Sequence, residues 1–337
     1  MGIQVIKQGI ADSLQDSGRK GYQHLGINPG GVMDEVAFRV ANMLVGNDEG
    51  EAVLELHMPA GSFLFEKEVL IALSGANFGA TINRVSIPMN TPIIVGKNSL
   101  LEFKKGGKGA WCYLAVRDGF NVPRWLNSYS TNLKAGVGGF NGRTLVRQDD
   151  IPLFSPGISP SIAGIRDLVV LPWQADVQAL YPPSDRIRIL EGHEFSWLNE
   201  ASGQLMESLP FSISNQSDRM GYRLKGPTLR TTETRQLVST GVTRGTLQLL
   251  PSGCIIVLMA DHQATGGYPR IAHVIHVDLP RIAQLSTHET VRFSRVERQE
   301  AEDLMLARDQ YLQQLRGACE LRLQKYFQEN GTDRSEL

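Results

Sequence analysis

CIIVLMADHQATGGYPR, residues 254 to 270, runs an unbroken apolar segment straight into a polar loop that carries two glycines. A short apolar run rich in Ile and Val, bounded by turn residues, reads as a buried strand. The loop therefore starts where a core strand ends. If the backbone stays extended, Asp261 and Gln263 point to the same side. Gly266 and Gly267 let main-chain N–H groups approach a ligand closely. The chemistry suits a small polar molecule; the competing reading is a polar turn in which Asp261 and Thr265 bond their own backbone.

Two further stretches repeat this style. SDRMGYRLKGP (217–227) sets Asp218, Arg219 and Arg223 around Gly221, and QDSGRKGYQHLGINPGGVMD (15–34) carries Arg19, Tyr22 and His24. Arginine's planar fork holds a carboxylate or a polarised carbonyl better than lysine does. A surface ion pair between Asp218 and either arginine is the alternative, and such pairs contribute little. Arg19-Lys-Gly-Tyr22 and Arg219-Met-Gly-Tyr222 share R-x-G-Y, an internal echo that points to two related halves.

Short β-rich runs dominate the chain: SFLFEKEVLIALS, TPIIVG, SLLEFK, AWCYLAV, DRIRILEG, RQLVST, GTLQLL, CIIVLMA and VRFSRV. Gly, Pro, Asn and Ser separate them, as in closed or sandwiched sheets. One helix is predicted from an Asp34 N-cap through Val36, Val40 and Leu44 to about Gly46, and a longer one covers roughly 296–328. In the latter, Leu304, Ala307, Tyr311, Leu315, Cys319 and Leu323 recur at spacings of three and four, a stripe for packing. Six prolines interrupt residues 148–184, where an inter-domain linker is expected. The domains are then 1–183 and 184–337.

The 337 residues exceed the usual single-domain size. Lysine plus arginine number 34 against 35 acids, which leaves no basic footprint for nucleic acid. Three widely spaced cysteines fit reduced thiols in a cytosol. No run has membrane-spanning length and the N-terminus lacks a signal-peptide pattern, so a cytoplasmic protein is expected, without membrane attachment.

Other motifs fail on chemistry. GVGGFNGR (136–143) has Val137 and Arg143 where a phosphate loop needs Gly and Lys, so a tight turn is its expected role. His273 and His276 lie in a β-like run that points them to opposite faces, and no metal site is expected. No G-x-S-x-G marks a nucleophilic serine.

The three polar stretches, together with LSGANFGATIN (73–83), SYSTNLKAGVGGFNGR (128–143), LVSTGVTRGTLQLLPSG (237–253) and DLPRIAQL (278–285), resemble one family. It is variously called biotin-dependent carboxyltransferase, allophanate hydrolase subunit 2, or the C-type subunit of bacterial 5-oxoprolinase. The resemblance implies two cyclophilin-like β-barrel domains with a long C-terminal helix. It further implies a protein that works with the B-type and A-type subunits of 5-oxoprolinase in ATP-driven opening of 5-oxo-L-proline to L-glutamate. No nucleotide loop and no A-M-K-M biotinyl signature occur, so ATP belongs to the complex and no cofactor is intrinsic. The alternatives are carboxyl transfer from carboxybiotin to urea or a related amide, and a regulatory protein that antagonises a histidine-kinase inhibitor. On this basis Asp218, Arg223 and Asp261 are the expected catalytic residues. Arg19, Tyr22, Arg219, Gln248, Gln263, Thr265, Gly266, Gly267 and Tyr268 are expected to bind the lactam or amide substrate. The chain departs from the family pattern at Tyr129, where an arginine is usual, at Cys254 and at Ala264.

Overall fold

Strand-forming runs become strands wherever one face can be buried, and the protein is mostly β. The computed structural model describes residues 2–104, 107–154, 168–233 and 237–331. They divide into two units. Unit 1 holds Met1–Gly18, Asp34–Ala179 and Gln310–Leu337; unit 2 holds Arg19–Met33 and Leu180–Asp309.

Unit 1 contains β1 (Gly2–Lys7), β2 (Ser13–Gln15), α1 (Glu35–Val45), β3 (Val53–His57), β4 (Ser62–Phe65), β5 (Val69–Gly75) and β6 (Ala80–Ile82). It continues with β7 (Val85–Ser86), β8 (Pro92–Val95), β9 (Ser99–Phe103), β10 (Trp111–Val116), β11 (Asp150–Pro152) and β12 (Leu168–Val170). They form two six-stranded sheets, ordered β11-β1-β4-β9-β6-β7 and β12-β8-β5-β10-β3-β2. Alternate residues of both sheets, Ile3, Val5, Phe63, Phe65, Ile71, Leu73 and Leu114 among them, meet in one apolar core. That period of two is the sandwich signature.

The predicted first helix is present as α1, which packs on β5 and β10. Asp34 caps it by accepting from the N–H groups of Val36 and Ala37 at 3.0 Å, and Gly46 ends it at φ 77°. In the GVGGFNGR stretch, Gly139 sits at φ 54° with the Thr131 hydroxyl against the position a Cβ would fill, so it is a tight turn. Of the proline-rich stretch 148–184, residues 155–167 lie outside the described residues. Its flanks are not a free linker: β11 and β12 add to the edges of the two sheets.

Unit 2 contains β13 (Arg186–Glu191), α2 (Glu200–Ser208), β14 (Phe211–Ile213), β15 (Gly221–Lys225), β16 (Thr240–Gly241) and β17 (Thr246–Leu249). β18 (Ile255–Leu258), β19 (Thr265–Gly266), β20 (Arg270–Val274), α3 (Leu279–Ala283) and β21 (Thr290–Arg295) complete it. Seven strands close a barrel in the order β13-β20-β17-β18-β15-β14-β21, with β13 and β21 as the parallel seam. Closure leaves no free edge in that ring. Asp278, wholly buried, braces the seam by accepting from the Arg188 main chain at 2.8 Å and from its guanidinium at 2.7 and 3.0 Å. Burial would raise that carboxyl, but the Arg188 bonds outweigh it and hold it below the usual carboxylate range.

β16 and β19 pair as a separate ribbon, which is all that is described as strand from the expected RQLVST run; residues 234–236 lie outside the described residues. The expected C-terminal helix is α4 (Arg298–Gly331), with Leu312, Cys319 and Leu323 buried. α2 is absent from the sequence reading because EASGQLMES has a weak apolar stripe; Asn199 starts it by accepting from Ser202 N–H at 2.8 Å.

Asp12 in unit 1 is wholly buried and accepts N–H bonds from Gly61 at 2.7 Å and His57 at 3.3 Å. Burial outweighs those bonds and pushes its carboxyl up to about 6. A folded-state value above the unfolded one means that Asp12 contributes stability below the unfolded value near 4 and loses it as the pH rises through about 6. Urea unfolding of wild type and Asp12→Asn should show the variant gaining about 3 kcal/mol relative to wild type between about pH 4 and pH 7. A difference that does not change with pH would show that Asp12 keeps an ordinary carboxyl.

Candidate functional site

β18 ends at Leu258, and the chain does not continue extended: His262 N–H bonds back to Met259 O at 3.2 Å in a tight turn. That turn separates Asp261 from Gln263. Asp261 folds toward Arg219, whose Nε donates to Oδ2 at 2.8 Å and Nη2 to Oδ1 at 3.1 Å. The main chains join as well, Asp261 N–H donating to Arg219 O at 2.8 Å. The side chains are 8% and 13% exposed, so water screens this pair weakly.

The segment 19–33 is stitched to the same place. Arg219 Nη2 donates to Gly31 O at 2.6 Å, and Asn28 Nδ2 donates to Asp261 O at 3.1 Å. Arg244 donates to Val32 O at 3.0 Å and to Met33 O. Arg19, 1% exposed, brings Nη1 to 2.9 Å from the point where a Cβ on Gly30 would stand, and Asp261 Oδ1 lies 3.7 Å from that point. At φ 63° and with that guanidinium overhead, Gly30 has to be glycine. The two arginines of the R-x-G-Y echo thus end in one cluster with one carboxylate.

On the other side of the turn, Gln248 rises from β17 only 2% exposed. Its Nε2 is 2.4 Å, and Gln263 Nε2 3.2 Å, from the position a Cβ on Gly266 would occupy. Gly266 is required by this close approach, not by a positive φ. Gln263, Thr265 and Tyr268 are exposed, while Gly267 lies against Leu237 O and Ser239 Oγ of the segment before β16. Tyr22 is half-buried beside the short turn Gln23–Leu25.

Two expected residues are placed apart. Asp218 is exposed and spends its carboxylate on the N–H groups of Met220 and Gly221, at 2.8 and 3.2 Å, closing the turn before β15. Asp261, not Asp218, orients Arg219. Arg223 falls inside β15, where Tyr222 and Leu224 point into the barrel and alternation sends Arg223 outward into solvent. SDRMGYRLKGP is therefore half turn and half strand, a switch that its polar composition conceals.

Arg244 and His262 were not among the expected site residues, although both lie in the quoted strings. Arg244 follows a Gly-Val-Thr turn, and nothing local says that its guanidinium reaches the 32–33 carbonyls. His262 is 2% exposed, and burial pushes its imidazole down, which favours the neutral ring. Its Nδ1 lies 2.7 Å from Gln263 O, which only accepts, so Nδ1 carries a proton. No group of three or more metal-ligating side chains occurs among the described residues. Of the departures, Tyr129 is buried in unit 1 under the Arg124 guanidinium, 4.5 Å from its ring centre. Cys254 is exposed, and Ala264 contributes its carbonyl to Val242 N–H.

A family model described as carboxyltransferase domain, subdomain A and B, matches residues 25–295. The chain is 36% identical over 316 residues to the C-type subunit of 5-oxoprolinase from Escherichia coli (strain K12), covering 93% of this chain and 97% of that protein. It is 33% identical over 304 residues to the 5-oxoprolinase C-type subunit of Haemophilus influenzae, covering 90% and 94%. Among solved structures, the urea amidolyase of K. lactis matches with a TM-score of 0.84 at 27% identity. That match covers 93% of this chain and 20% of the urea amidolyase, so the chain spans one fifth of that larger protein.

Asp261→Ala leaves Arg219 charged, buried and short of its main partner, and should lower unfolding stability by about 3 kcal/mol. Arg223→Ala removes only a solvated side chain and should stay within about 0.5 kcal/mol of wild type. Chemical denaturation of both variants checks this; equal losses would mean that Arg223 also carries a buried contact.

Proposed function

We propose that this chain, which belongs to the family of the carboxyltransferase domain, subdomain A and B, is one component of an ATP-dependent 5-oxoprolinase complex converting 5-oxo-L-proline to L-glutamate. The observation that carries the reading is coverage. The match to each 5-oxoprolinase C-type subunit runs through almost the full length of both chains, whereas urea amidolyase contains the same fold as one part among others. Proteins like the B-type and A-type subunits of 5-oxoprolinase are the partners, and the cytoplasm is the site of action. No helix of the described residues is long and apolar enough to cross a membrane.

The cluster around Asp261 has the chemistry this reaction needs. A lactam bearing a carboxylate requires positive charge, hydrogen-bond donors for its C=O and an acceptor for its N–H. Arg19 and Arg219 supply the charge at low exposure, where it acts at close range. Asp261 fixes the Arg219 fork, and through it the Gly31 carbonyl, so the loop 19–33 holds one position over the barrel strands. Gln263, Thr265 and the main chain of Gly266 and Gly267 face the ligand as donors and acceptors. Preorganised donors of this kind stabilise charge as it develops on a carbonyl oxygen. Ring opening breaks the lactam C–N bond; water supplies hydroxyl to the acyl carbon and a proton to the nitrogen, and ATP hydrolysis in the complex drives the step. Asp218 and Arg223 take no part in this arrangement.

The second reading is carboxyl transfer from carboxybiotin, borne by another protein, to urea or a related amide. The fold match to urea amidolyase favours it. A ureido ring and a lactam present the same N–H beside the same C=O.

Co-expression with the B-type and A-type partners, followed by assays of ATP hydrolysis and glutamate release, separates the two. The complex should hydrolyse ATP in response to 5-oxo-L-proline, and the purified chain alone should not. ATP turnover by the chain alone, or carboxylation of urea in place of glutamate release, refutes the proposal.

A further inference from the structure

The geometry points to Gln248 as the residue that reads the cis amide of the substrate, an inference that rests on the cyclic-amide reading above. Gln248 is 2% exposed, and its Nε2 is buried without a hydrogen-bond partner among the described residues. A buried amide left unpaired is costly, since it has given up water and received nothing in return. Elsewhere in the same unit Thr246 Oγ1 faces His273 Nδ1 at 3.2 Å, and Asp278 is bonded on both oxygens. Arg244 Nε and Arg308 Nε are buried and unmet as well, but an arginine offers donors alone, whereas Gln248 sets an acceptor beside its unmet donor.

Two independent features hold this amide where it is. The ladder between β17 and β20 slips register between Leu247 and Gln248, an irregularity of the kind that re-aims a side chain. Gly266 then lets the amide lie against its main chain, because any Cβ there would stand 2.4 Å from Nε2. Gln263 Nε2, 3.2 Å from that same point, lies close enough for one oxygen to accept from both amides.

A carboxamide presents a donor and an acceptor side by side. Its complement is an amide whose N–H and C=O lie on one edge, the cis arrangement enforced by a lactam or a cyclic urea and denied to an ordinary trans amide. Bound this way, the ligand N–H donates to Gln248 Oε1 and its C=O accepts from Nε2, with Gln263 as the second donor. The ring then satisfies the buried group, and the site selects cyclic amides over open-chain ones.

The test uses 5-oxo-L-proline and its N-methyl derivative, which keeps the C=O and the carboxylate but has no N–H. The wild-type complex should prefer 5-oxo-L-proline in kcat/KM by about 10- to 100-fold, and Gln248→Met should abolish that preference. Because methionine fills the same volume without unpaired atoms, the variant chain should melt at or above the wild-type temperature. Gly266→Ala, which keeps Gln248 but crowds it, should lose the preference as well. A Gln248→Met complex that still discriminates overturns the proposal. Imidazolidin-2-one, a cyclic urea, separates this inference from the reaction assigned above. If the complex leaves 5-oxo-L-proline untouched while imidazolidin-2-one raises the melting temperature of wild type but not of Gln248→Met, the reaction is wrong and the role of Gln248 stands. If neither 5-oxo-L-proline nor imidazolidin-2-one shifts wild type, Gln248 reads no cis amide.

Discussion

A guanidinium that is less than a tenth exposed must have its donors met, and in unit 2 that requirement organises the site. Arg219 satisfies it with both oxygens of Asp261 and the carbonyl of Gly31. Each partner lies on a different stretch of chain: the turn after β18 and the segment 19–33. One cation therefore fixes two loops. Asp261 bonds back through its own carbonyl to Asn28, and Arg244 anchors the carbonyls of residues 32 and 33, so the segment is held at several points by charge-assisted bonds. Gln248 projects from barrel strand β17, and Arg219 from the bend that leads into β15.

Buried polar groups of unit 1 hold turns and a helix start. Asp16 in unit 1 is 4% exposed and accepts from Ser128 and Ser130 hydroxyls at 2.7 and 2.5 Å and from the N–H groups of Gly18 and Tyr129 at 2.8 and 2.7 Å. Such a network rigidifies turns and has no capacity left for a ligand. Tyr113 likewise donates to Glu55 at 2.9 Å and accepts from Asp34 N–H at 2.7 Å, tying the helix start to the sheet. In unit 2 the polar side chains gathered around Gly266 are less fully used. Stability is given up at that spot in return for chemistry that an apolar ring of the same size would lack.

The chain's polar strings lie largely at strand ends, with Gln248 on β17 as an exception. A closed barrel can exchange loop residues without disturbing its ring of hydrogen bonds. Cys254 and Ala264 lie off the barrel strands, and Tyr129 lies in unit 1. Cys254 is exposed in a turn, Ala264 keeps the carbonyl contact that any residue there would make, and Tyr129 packs under Arg124.

Elements whose cause is local are legible in the amino-acid order. Asp34 and Gly46 delimit α1 because a side-chain cap and a left-handed glycine act over one turn, and runs such as AWCYLAV and CIIVLMA are strands because their residues fit a buried pleated surface. The same locality made ADHQATGGYPR legible as a polar loop beyond a core strand, whereas the echo R-x-G-Y, which points to two related halves, has both its arginines in one unit. Which charges meet depends on packing between distant segments. Arg219 and Arg223 are equal candidates in a string of letters, yet the β15 alternation turns one outward, while a turn-forming role removes Asp218. Arg244 and His262 carried no signal because their partners lie far away in sequence or depend on burial. Gly266 reads in the sequence as a place of close backbone approach, and what approaches it is Gln248, since a contact between residues 248 and 266 exists only once two strands and a turn have packed. Ion pairing, burial and close approach are properties of residues brought together from a distance, and local sequence does not encode distance.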